Sequence, residues 1–154
     1  MKTHKITGGG GIQLHLVETG NSRGRPILFI HGFSQCWLAW SRQLSSDLAD
    51  GHRLVAMDMR GHGLSDKPSE GYGDSRLWAD DVNAAIQALS LDHPILCGWS
   101  YGPLVILDYI RHYGEDGIRV STLWVRPRSL AVTRRCRSSL LSFSISYQAS
   151  LPRR

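Results

Sequence analysis

The sequence predicts an α/β protein built on a doubly wound, mostly parallel sheet, and three observations carry that expectation. A continuous apolar run at residues 26–30 is bounded by turn residues, as expected of a strand covered on both faces, and residues 53–57 form the next strand. They alternate with helical stripes such as Trp78, Val82, Ala85, Ile86 and Leu89. A Gly-x-Ser-x-Gly pentapeptide, Gly98-Trp99-Ser100-Tyr101-Gly102, joins an apolar run at residues 94–97 to a helical pattern that opens at Pro103. Strands alternating with helices imply right-handed crossovers and a parallel core.

In chain order, Lys5-Ile6-Thr7, the glycine run at 8–11 and the alternating Ile12-Gln13-Leu14-His15-Leu16-Val17 read as a hairpin with one buried face, the glycines supplying positive φ at its turn. A phosphate-cradling role is disfavoured, because no Gly-x-Gly-x-x-Gly occurs and no helix follows. The strand at 26–30 delivers His31-Gly32-Phe33 at its C-terminal end, the end where ligands bind in open α/β sheets. Residues 37–48 suggest one short helix with Trp40, Leu44 and Leu48 on a stripe.

The strand at 53–57 runs into Asp58-Met59-Arg60-Gly61-His62-Gly63-Leu64-Ser65-Asp66-Lys67-Pro68, a loop read as architectural, with Asp58 and Ser65 bonding local amides. A helix is expected from about residue 74, capped by Asp74 or Ser75. Asp80 and Asp81 are adjacent in sequence, so they diverge around that helix and read as solvated or capping charges. Pro103 suits a first helical turn, and the helix it opens should end near Tyr113-Gly114.

The pentapeptide has the form of a nucleophile elbow, in which a strand stops, turns sharply and lifts a serine hydroxyl above the sheet edge. Ser100 is the candidate nucleophile. Gly98 and Gly102 flank it because strand and helix backbones approach too closely there for a side chain. The Tyr101 amide, at a helix start, would favour the negative oxygen of a tetrahedral intermediate. A second amide and a histidine base must come from elsewhere in the chain.

Composition sets the frame for these motifs. The chain has 154 residues, 42% of them hydrophobic, enough for one domain with a real core. Its three cysteines are widely spaced, without metal or disulfide patterning, so no metal site and no cofactor is expected. No apolar run reaches membrane-span length and residues 1–7 lack a signal-peptide pattern, so a cytoplasmic protein with no membrane partner is expected.

The net charge of +5 is unevenly spread: residues 1–118 hold ten Lys/Arg and all thirteen Asp/Glu, whereas 119–154 hold eight Arg, eight Ser and no acid. The organisation expected is therefore a partial α/β domain at 1–118 and an irregular or disordered Arg/Ser-rich tail at 119–154. No nucleic-acid motif accompanies those arginines, so no specific nucleic-acid partner is expected.

Taken together, residues 12–118 resemble the N-terminal part of the α/β-hydrolase superfamily. His31-Gly32-Phe33 is similar to its His-Gly oxyanion loop, Asp58-x-x-Gly61-x-Gly63-x-Ser65 to the turn after its fourth strand, and Gly98-x-Ser100-x-Gly102 to its elbow. With Trp37, Trp40 and DMRGHGLSDKP, the chain resembles the esterase, non-haem haloperoxidase-like and perhydrolase-like branch. The resemblance implies an acyl-enzyme route with a small ester-like substrate, Phe33 giving the second oxyanion amide beside Tyr101, and His31 and Gly32 shaping the loop. Haloalkane dehalogenases and epoxide hydrolases share the oxyanion region but carry an aspartate at the elbow, and are disfavoured by Ser100.

In the family the base and the acid follow later strands, whereas here every histidine lies at or before His112 and no acid follows Asp116. The alternative expectation is thus a truncated or frame-shifted remnant without efficient catalysis. Beyond about Val120 the reading is a shifted frame: the codons from Leu123 to Pro127, reread from third bases, give an apolar-Gly-small-small segment that resembles the family's next strand end. A domain ending after the elbow helix leaves the elbow strand with an apolar edge that another chain, a swapped dimer or the tail itself could cover, so self-association through that edge is one expectation.

Overall fold

The computed structural model describes residues 1–118, 120–124 and 131–133. Seven strands form one sheet: β1 (Lys2–Thr7), β2 (Gln13–Gly20), β3 (Arg25–Ile30), β4 (His52–Met57), β5 (Ile95–Trp99), β6 (Val120–Trp124) and β7 (Ala131–Thr133), in the order β1-β2-β4-β3-β5-β6-β7. The centre, β4-β3-β5-β6, is parallel, while β1, β2 and β7 join antiparallel at the flanks. The parallel part is the doubly wound core that the apolar runs predict.

Alternation along the strands splits the core in two. Leu28 and Ile30 of β3, with Val55 and Met57 of β4, pack under the helices α3 (Ser75–Ala88) and α4 (Gly102–Tyr113) through Trp78, Val82, Val105 and Ile106. Their neighbours Ile27, Phe29, Leu54 and Ala56 face the other way, against Trp40 and Leu44. Both faces of β3 and β4 are dry beyond their first residues, which is why 26–30 and 54–57 are unbroken apolar runs.

The local signals fall where expected at most boundaries. Asp74 caps α3, its carboxylate accepting from the Arg76 amide at 2.8 Å. Gly10 and Gly11 take positive φ in the turn between β1 and β2. Tyr113 ends α4, followed by Gly114 at φ 77°.

Three expectations change. Residues 37–48 do not form one helix but a 3-10 turn (Trp37–Trp40) and two single turns, α1 (Ser41–Leu44) and α2 (Leu48–Gly51). The Ser46 hydroxyl donates to the Gln43 carbonyl and accepts from the Leu48 amide, offering the backbone an alternative to helical bonding. Asp81 is not solvated: it is 1% exposed and paired with Arg60, and Asp80 sits half-buried against Arg76 and Tyr113.

The third change lies in the segment read as tail. Strand β6 pairs with β5 in parallel register from Ile95↔Val120 to Trp99↔Trp124, so of the possible covers for the β5 edge the chain's own segment occupies it. Strand β7 pairs in turn with β6. Apart from these eight residues, the expected irregular tail lies outside the described residues.

Candidate active site

The site forms where the winding of the sheet reverses. From β3 the chain leaves through α1 and α2 toward β4 on one side, whereas from β5 it leaves through α4 toward β6 on the other. β3 and β5 are neighbours, with Ile30 opposite Gly98, so the segments leaving their C-terminal ends meet in the crevice of a topological switch point. Those segments are His31-Gly32-Phe33 and Ser100-Tyr101.

Ser100 is the first residue of a two-residue turn, Ser100-Tyr101, between β5 and α4 and has φ 56°, left-handed backbone that a serine adopts only under constraint from its surroundings. The constraint is visible at the flanking glycines. A Cβ at Gly98 would lie 2.7 Å from the Pro103 nitrogen, and one at Gly102 would overlap the Ile30 carbonyl oxygen. The first glycine lets the elbow close on itself, and the second lets α4 press against β3.

Gly32 lies directly against the elbow, since a Cβ there would come 3.0 Å from the Ser100 Cβ. Its amide donates to Gln35 Oε1 at 2.9 Å, and its carbonyl accepts from the Gln35 amide and from His31 Nδ1 at 2.7 Å. With both its backbone groups held, Gly32 fixes the direction of the chain into Phe33. Ser34 follows with φ 59°, a second strained serine in the same loop. The Phe33 and Tyr101 rings meet edge to face at 6.2 Å between centroids.

His31 is fully buried, and its Nε2 accepts from the Met59 amide at 3.1 Å. The proton therefore sits on Nδ1, donated to Gly32, and burial pushes the imidazole below its ordinary pKa, keeping it neutral. His62 is held in the same way: Nε2 accepts from the Ser34 amide and Nδ1 donates to the Arg60 carbonyl. The other five histidines bond Glu18, Asp58, Leu48, Asp92 and Ser75. Among the described residues, then, every imidazole is engaged away from Ser100.

The 58–68 loop acts as the architectural element the sequence suggests. Asp58 is fully buried and accepts from the Trp37 and Leu64 amides and from His15 Nδ1, while Ser65 donates to the Asp58 carbonyl and accepts from the His15 amide. This knot ties β2, β4 and the loop before α1 to the segment that follows β3. Gln35, His62 and Trp78 were missed as site residues, because their roles depend on contacts across the fold and carry no local pattern.

Among the described residues, no cluster of three His, Cys, Asp or Glu side chains could hold a metal ion, and no helix is long and apolar enough to cross a membrane. Beside the elbow lies an open cavity of about 500 Å³, lined by Phe33, Ser34, His62, Tyr72, Trp78 and Tyr101 together with Gly61.

With this geometry in place, the sequence model described as alpha/beta hydrolase fold matches residues 25–125, the span from β3 through β6. The chain belongs to the alpha/beta hydrolase family. Its relatives include AB hydrolase superfamily protein YisY of Bacillus subtilis, 42% identical over 94 residues that make up 60% of this chain and 35% of the relative. Epoxide hydrolase 1 of Caenorhabditis elegans is 37% identical over 106 residues, 68% of this chain and 26% of the relative. Among solved structures, the esterase RhEst1 from Rhodococcus sp. ECU1013 superposes with TM-score 0.75 at 41% identity, over 79% of this chain and 44% of that one. This alpha/beta hydrolase chain thus spans less than half the length of each of them. The family match also runs seven residues past position 118, where the composition changes.

Proposed function

We propose that this alpha/beta hydrolase carries the nucleophile half of a serine esterase site, acting on a small ester-like acyl compound through an acyl-enzyme. Ser100 Oγ attacks the ester carbonyl carbon as its proton passes to water, the amides of Phe33 and Tyr101 take the charge that develops on the carbonyl oxygen, and the bond to the alkoxide breaks, the alkoxide taking a proton from water to leave as the alcohol. The observation that carries this reading is the strained Ser100 turn, φ 56°, with Gly32 pressed against its Cβ. A serine rather than an aspartate at the elbow favours acyl transfer over the displacement at carbon of epoxide hydrolases. Free thiols at Cys36 and Cys97 support a cytoplasmic location.

The test uses p-nitrophenyl acetate, whose activated leaving group lessens the need for a base. Ser100 is expected to acquire one acetyl group over hours, detected by peptide mass spectrometry and missing in Ser100→Ala. Acetylation confined to lysines or other serines would overturn the nucleophile assignment.

A second reading is favoured by the engaged histidines: as it stands the chain is a catalytically weak remnant. Loss of the histidine base from the serine triad of subtilisin lowers kcat by about 2 × 10⁶-fold, because the triad acts as a unit. Steady-state turnover of p-nitrophenyl acetate is therefore expected to stay within a few-fold of the Ser100→Ala rate. A robust rate that disappears in Ser100→Ala would mean that a base reaches the hydroxyl, and the remnant reading would fail. The frame-shift proposal for the tail is tested by sequencing the gene: a long alternate frame supports it, and early stop codons refute it.

A further inference from the structure

Three arginines, Arg23, Arg25 and Arg53, line one recess of about 320 Å³ at the end of the sheet opposite the elbow. Arg25 opens β3 and Arg53 lies at the start of β4, whereas Ser100 follows the last residue of β5. The length of a strand, roughly 20 Å, therefore separates this recess from the nucleophile.

The recess is held in shape by the chain itself. The loop between β2 and β3 that carries Arg23 and Arg25 is stapled to the start of β4: the Asn21 amide donates to the Ala49 and His52 carbonyls at 2.9 Å, the Gly24 amide to the Asn21 carbonyl at 2.8 Å, and the Arg23 amide to Asn21 Oδ1 at 3.0 Å. A Cβ at Gly24 would lie 2.5 Å from the Gly51 carbonyl oxygen, so the backbone between the two arginines rests directly on the end of α2. Arg53 is fixed from two sides. Its Nε and Nη2 donate to the Glu18 carboxylate at 2.9 and 3.1 Å and its Nη1 to the Leu89 carbonyl at 2.8 Å, which leaves a further N–H on each Nη. Ser90, in left-handed backbone at φ 49°, brings the turn from α3 to β5 in as another wall.

Charge in the recess is not balanced. Glu18 answers Arg53, but the exposed side chains of Arg23 and Arg25 make no hydrogen bond or ion pair among the described residues. Asp92, the single acid of the lining among those residues, meets His93 Nδ1 at 2.6 Å instead. Guanidinium groups gathered without acids repel one another, and an anion between them removes that cost. Arginine in all three places presents planar forks that match the oxygens of a phosphate, and the Ser22 and Ser90 hydroxyls lie on the same lining. The volume is at the small end for a small-molecule site, room for a phosphate with a few carbons.

We propose that this recess binds the phosphate group of a small soluble phosphate ester, at a site independent of the esterase reading. Glycerol 3-phosphate is the probe and glycerol its uncharged counterpart, each titrated into the full chain and followed by backbone amide NMR. Glycerol 3-phosphate is expected to shift the amides of Arg23, Gly24, Arg25 and Ser90 along one saturating curve, and glycerol to shift none of them. Because residues 119–154 hold eight further arginines, the variants locate the binding. Arg23→Gln/Arg25→Gln is expected to weaken it at least about tenfold, the effect of a lost charge-assisted hydrogen bond. Arg23→Lys/Arg25→Lys, which keeps the charge and removes the forks, should fall in between, and Arg134→Gln/Arg135→Gln should change nothing. Shifts that do not saturate, an affinity unchanged in either folded variant of Arg23 and Arg25, or saturation by a single-stranded oligonucleotide but not by glycerol 3-phosphate would overturn the proposal. Ser100→Ala should bind as the unaltered chain does, so failure of Ser100 acetylation and failure of this site are separate results.

Discussion

Asp81→Ala is expected to lower the unfolding free energy by about 3–5 kcal/mol, the range for removing one partner of a buried ion pair. Both side chains are 1% exposed. Arg60 Nε donates to Asp81 Oδ2 at 2.7 Å and Nη2 donates to Oδ1 at 2.8 Å, a bidentate pair, and the Gly9 amide also donates to Oδ1. Burial pushes the Asp81 carboxyl up, while the Arg60 guanidinium and the Gly9 amide pull it back down. Without the carboxylate, a guanidinium stays inside the protein with only the Gly9 and Leu77 carbonyls to receive it. Urea unfolding followed by tryptophan fluorescence measures the loss. Because desolvation offsets much of what the pair contributes, the double variant Asp81→Leu/Arg60→Met should recover most of it. A single-variant loss below about 1 kcal/mol would mean that water reaches Arg60 and that the pair is not a buried tie.

Gly102→Ala is expected to cost about 1–3 kcal/mol or more, and to abolish acetylation of Ser100. The new methyl would overlap the Ile30 carbonyl oxygen, a backbone atom of a central strand that cannot rotate aside. Helix α4 must back away from β3, and the turn holding Ser100 moves with it. Gly51→Ala is the control: φ is not positive there, nothing lies within 4 Å of the added carbon, and the change should stay within about 0.5 kcal/mol. If Gly102→Ala keeps full acetylation, the close approach of α4 to β3 does not set the elbow geometry.

The order of motifs along the chain determined the fold class and the position of Ser100, because those signals are local. An apolar run followed by Gly-x-Ser-x-Gly and Pro103 describes strand, turn and helix without reference to any other segment. The placing of Phe33 beside Tyr101 also followed from the chain, since parallel neighbours end on the same side of the sheet. The Asp81 contact was invisible for the opposite reason. Its partners, Arg60 and Gly9, lie 21 and 72 residues away, and an acidic pair on a helix looks the same in sequence whether water or a guanidinium receives it. The engagement of His31 and His62 was equally a tertiary matter, because a histidine becomes a base or a strut according to what its two nitrogens meet. Composition misled at residues 120–124: the acid-free, Arg/Ser-rich average of 119–154 masked a short run of strand-forming residues, Val-Ser-Thr-Leu-Trp, which pairs with the backbone donors and acceptors along β5.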